Sequence, residues 1–79
     1  MSMVDGRLVW RCRRGTRELD LILGRFLETG YGGLDARQRE QFERLLDYED
    51  DALQLWLLGY AEPEDAALAE IVTLIRQPR

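Results

Sequence analysis

The clearest periodicity in the chain lies between residues 16 and 30. Leu19, Ile22, Leu23, Phe26 and Leu27 fall at i, i+3, i+4, i+7 and i+8, the spacing of one apolar helix face. Thr16 is a plausible N-cap for this helix, with Glu18 and Asp20 near its positive end. Gly30-Tyr31-Gly32-Gly33 stops it. Before it, Val4, Leu8 and Cys12 share an edge, with Val9 beside them, which predicts a short helix from about Arg7 to Arg14, ended by Gly15. After it, Asp35 with Gln38 three residues on resembles a capping box. Phe42, Leu45 and Leu46 mark the inner face of that third helix, and Glu40 and Arg44 are spaced as an outer i, i+4 pair.

The acidic run Asp47-Tyr48-Glu49-Asp50-Asp51 reads as a connection whose later acids begin a fourth helix. Leu53, Trp56 and Leu57 form its inner face, and Gly59 fits its stop. Leu53-Gln54-Leu55-Trp56-Leu57-Leu58 is more apolar than one stripe requires, and burial of this helix on two sides is the simpler account; extension of a contact surface by Leu55 or Leu58 is the sharper one. The last helix is predicted to start at Pro63, with Glu64 and Asp65 in its first turn and Leu68, Ile71, Val72 and Ile75 as its stripe. No stretch alternates long enough for a strand. The prediction is therefore an all-α, compact five-helix bundle, one domain over residues 1–79 with a flexible N-terminus at about residues 1–5.

Composition narrows the chemistry. A chain of 79 residues buries only about 60–65% of its unfolded surface, which leaves little room for a deep active-site cleft. The chain has no histidine and a single cysteine, Cys12. A histidine-based triad, a Cys/His dyad, a His-containing zinc site and an internal disulfide are excluded. Nothing points to a carboxylate-only metal site, and no Gly-rich strand–turn–helix fingerprint for a dinucleotide is present. We therefore expect no tightly bound cofactor, no metal and no catalytic residue. No apolar run approaches bilayer-spanning length, and the first residues lack a basic flank followed by an apolar core. A cytoplasmic location without membrane insertion is the resulting expectation.

The net charge of −4 hides an asymmetry. Residues 1–34 carry six arginines against four acids, while residues 35–79 carry five against eleven. Five arginines cluster between positions 7 and 17, and no lysine occurs anywhere. A solvated basic face beside a helix break would explain this cluster. So would a protein-docking surface, since arginine and tryptophan are favoured at binding hot spots. Nucleic-acid binding fits less well with a sequence pI near 4.7. Cys12 reads as a small, buried apolar residue. The acidic clusters at 48–51 and 62–65 are accounted for by helix N-termini.

Taken as a set, Trp10-x-Cys12-Arg13-Arg14-Gly15-x-Arg17-Glu18-Leu19-Asp20, then Phe42-x-Arg44-Leu45-Leu46 and Leu53-x-x-Trp56-Leu57, then the closing helix Ala67 to Arg76, resemble the SdhE-type succinate dehydrogenase assembly factors with their Arg-Gly-x-x-Glu motif. The chain differs from that pattern in Thr16, where methionine is common, and in the absence of a proline before the fourth helix. The resemblance implies a maturation chaperone. It would bind the flavoprotein subunit of succinate dehydrogenase, or of fumarate reductase, and promote its covalent flavinylation with FAD. The attacking histidine would belong to the partner. The resemblance places Arg14, Gly15 and Glu18 at the interface, with Trp10, Arg13, Arg17 and Asp20 around them. Because Arg14 and Glu18 flank the helix break outside the apolar stripes, their side chains are expected to be mostly exposed. The free chain is expected to be a monomer, with no nucleic-acid partner and no enzymatic activity. The alternative is an antitoxin-like helical protein that neutralises a co-encoded toxin.

Overall fold

The computed structural model describes residues 6–77. The expected flexible N-terminus, Val4 and Pro78 lie outside them. Five α-helices follow one another: α1 Gly6–Arg11, α2 Arg17–Thr29, α3 Ala36–Leu45, α4 Asp50–Leu57 and α5 Ala66–Arg76, with a 3-10 turn at Tyr31–Gly33 between α2 and α3. No strand occurs among the described residues. The expected all-helical bundle is what forms.

One buried cluster draws on every helix: Leu8, Leu19, Leu23, Phe42, Leu45, Leu53, Leu57, Leu68, Ile71 and Val72 are among its members. The predicted stripes supply nearly all of it. Tyr31, in the turn after α2, joins them, and its ring lies 5.5 Å from that of Phe42, which is itself 5.4 Å from Phe26. Helix α5 packs on α3 and α4, and α2 packs on α4.

The caps follow the local chemistry. Thr16 accepts from the Leu19 N–H at α2, and Asp35 and Gln38 close a full capping box at α3. At the end of α4, the Tyr60 N–H reaches back to the Leu55 carbonyl and the Gly59 N–H to that of Trp56. This hydrogen-bond pair requires the positive φ of +87° found at Gly59.

Four expectations are corrected. Helix α1 ends at Arg11 rather than Arg14, because the Arg14 N–H donates to the Asp20 carboxylate at 2.7 Å instead of continuing the helix. Helix α5 starts at Ala66 rather than Pro63. Asp65 caps it by accepting from the Ala67 and Leu68 N–H groups, and Pro63 is buried in the preceding loop. Arg44 pairs with Asp65 at 3.3 Å rather than with Glu40, which ties α3 to the start of α5. Helix α4 is not buried on two sides: Leu55 is 48% exposed and Leu58 40%.

Candidate functional site

The residues around Arg14 divide into two groups, one turned into the molecule and one turned out. The inward group organises the linker between α1 and α2. Asp20, one turn into α2, accepts from the Arg14 N–H at 2.7 Å and the Gly15 N–H at 3.3 Å. Gly15 adopts a φ of +89°, which a side chain would strain, and a Cβ built there would meet nothing within 4 Å. The linker therefore turns sharply with open space in front of the turn.

Arg14 is the correction at this site. Its side chain is only 16% exposed. It crosses to the α3–α4 connection, where Nε–H donates to Asp50 Oδ1 at 2.8 Å, Nη1–H to the Leu46 carbonyl at 3.0 Å and Nη2–H to the Tyr48 carbonyl at 2.7 Å. A further bond from Nη1–H to the Arg11 carbonyl, at 3.0 Å, caps the end of α1. The planar fork is used for its geometry as much as for its charge. Arg11 works beside it, donating to the Glu43 carbonyl and to Asp47. The acids at 47 and 50 thus serve as anchors for these two arginines, a role beyond the helix-terminal one expected for this cluster. Glu49, at the N-cap of α4, makes no side-chain cap bond.

The outward group is different in kind. Trp10 is 77% exposed, and Arg13, Arg17 and Glu18 are exposed, their side chains making no hydrogen bond or ion pair among the described residues. Between α1 and α2 beside them runs an open groove of ≈ 850 Å³. Cys12, Val9, Leu21 and Gly24 line it, and Arg13 and Arg17 stand at one end. Cys12 is nearly covered, and burial pushes its thiol up to about 11 against the opposing pull of Arg14 and Arg11. It belongs to the core edge, as the sequence implied. Among the described residues no group of His, Cys, Asp and Glu side chains is able to hold a metal, and no helix is long and apolar enough to cross a membrane.

Leu21 and Gly24 were not legible as part of a site. The only signal was an apolar residue and a glycine standing off the main α2 stripe.

A small helical bundle that turns unpaired arginines, a bare tryptophan and an apolar groove to solvent has the build of a docking protein, one that acts through its surface. Comparison with known proteins gives the particular family. The profile described as "Sdh5: Flavinator of succinate dehydrogenase" matches residues 6–79. The chain is 46% identical to the FAD assembly factor SdhE of Methylococcus capsulatus, over 90% of this chain and 86% of that one. It is 41% identical to the protein of the same name from Coxiella burnetii, over 95% and 92%, and 44% identical to that of Pseudomonas aeruginosa, over 87% and 82%. The chain belongs to the family of succinate dehydrogenase flavinators.

Proposed function

We propose that this chain is an assembly factor that binds the flavoprotein subunit of succinate dehydrogenase and promotes covalent attachment of FAD to it. The observation that carries this reading is family membership across almost the whole chain, joined to an exposed face at Gly15 where the side chains of Trp10, Arg13, Arg17 and Glu18 have no polar partner among the described residues. On this reading the exposed residues meet the partner. Arg14 and Asp20 hold the linker that presents them.

The flavin bond forms on the partner, and the chain itself is no enzyme. It has no histidine or other nucleophile–base pair to offer, and it holds no FAD tightly of its own. On this reading it acts in the cytoplasm. An antitoxin role has no observation in its favour. Deletion of the gene tests the reading: in-gel flavin fluorescence of the flavoprotein subunit should fall and return on complementation. Unchanged fluorescence in the deletion strain would overturn it.

A further inference from the structure

Helix α2 contains a glycine that the fold does not require. Gly24 sits mid-helix, where glycine is among the poorest residues. Its φ is not positive, and a Cβ built there would meet nothing within 4 Å. Neither backbone nor packing explains the missing side chain. Its position does: Gly24 lies in the groove between α1 and α2, flanked by Leu21 and Leu27, with Val9 on the opposite wall. Leu21 is 60% exposed there, an apolar surface that no element among the described residues covers.

The charges at the two ends differ in sign. Arg13 and Arg17 stand at one end and Glu28 at the other, none with a partner among the described residues. Arg17 and Glu28 are separated along α2 by eleven residues, which is ~16 Å. Asp20 also lines the groove, but its Oδ1 is taken up by the Arg14 and Gly15 N–H groups.

We infer that this groove seats a segment of the flavoprotein that lays an apolar side chain over Gly24 and turns an acidic group to Arg13 and Arg17. The segment's far end carries a basic or polar group toward Glu28. The absent Cβ lets the partner's backbone come close, and the opposed end charges fix which way the segment runs. The groove shares Arg13 and Arg17 with the exposed face at Gly15, so both form one continuous surface. This inference rests on the reading that the flavoprotein is the partner.

The test uses the full chain and the flavoprotein subunit from the same organism, with affinity measured by calorimetry and folding by thermal melts. Gly24→Leu fills the groove with a better helix former, and Arg17→Glu places an acid at a helix N-terminus that favours it. Each should weaken binding by about tenfold or more, with melting at or above that of the unaltered chain. Leu55→Ser, on the exposed side of α4, should leave affinity unchanged. A folded Gly24→Leu chain that binds within about twofold of the unaltered one overturns the groove and leaves the partner reading intact. If Gly24→Leu fails to fold, Glu28→Arg, at a residue that lines the groove but not the face at Gly15, decides by the same criterion. No binding by the unaltered chain overturns both.

Discussion

Replacing Arg14 by alanine removes the clasp that joins the α1–α2 linker to the α3–α4 connection, and its cost can be worked out from the structure. The guanidinium donates to one carboxylate and to the Arg11, Leu46 and Tyr48 carbonyls. A hydrogen bond from a charged donor is worth about 1.5–3 kcal/mol when water cannot replace it. Here replacement is partial. Asp50 is more than a third exposed, so its ion pair adds at most about 1 kcal/mol, and water can reach part of the vacated site. A net loss of about 2–4 kcal/mol follows. A domain this size has a total stability of only about 4–12 kcal/mol, so melting should drop by about 10–25 °C. Arg14→Lys keeps the charge but has no planar fork to span the carbonyls, and about half the loss should remain. Glu18→Ala, at an exposed and unpaired side chain, should cost no more than about 0.5 kcal/mol. Far-UV circular dichroism with thermal and urea denaturation on the three variants provides the comparison. If Arg14→Ala melts within about 3 °C of the unaltered chain, the clasp is not a source of stability and the division into inward and outward residues is wrong.

Gly15→Arg should cost about 1–2 kcal/mol in stability, from the strain of a side chain at a φ of +89° with no clash to add to it, yet lower flavoprotein affinity more than the lost folded fraction explains; affinity and melts on one preparation check this. Cys12, nearly covered and with its thiol pushed up to about 11 by burial, should react slowly with a thiol reagent at neutral pH and quickly in urea. Because its folded pKa is raised, its contribution to stability is complete below the ordinary thiol range and is lost as pH rises toward about 11, which Cys12→Ala should abolish in urea midpoints measured across that window. Asp65 runs the other way. The Leu68 and Ala67 N–H groups, with smaller help from Arg44, hold its carboxyl below the usual range. Its contribution is therefore present above that range and lost on acidification, so the urea midpoints of Asp65→Asn and the unaltered chain should converge in acid.

The helices were legible where an apolar stripe and a cap agreed. In α2 and α3 the stripe, Thr16 and the Asp35–Gln38 box all point the same way, and the structure follows them. Boundaries were lost where a nearby carboxylate took up backbone N–H groups. Asp20 draws the Arg14 N–H out of α1, and Asp65 rather than Pro63 organises the start of α5. The motif itself was legible as a string of residues, but its division of labour was not. Spacing placed Arg14 outside the apolar stripes, which suggested exposure. The carbonyls of Leu46 and Tyr48 that bury it lie more than thirty residues away, and no local pattern reports such an acceptor. The groove was hidden for the opposite reason, since a glycine and an off-stripe leucine reveal a surface only once α1 is set beside α2.

Promotion of covalent flavin attachment by docking on a flavoprotein can be observed in a purified system. The most direct measurement incubates purified apo-flavoprotein subunit with FAD, with and without an equimolar amount of the chain, and follows protein-bound flavin after denaturing electrophoresis. Attachment should be faster, or its yield higher, with the chain present, with little gain from the folded Gly15→Arg variant. Equal rates and yields with and without the chain would contradict it.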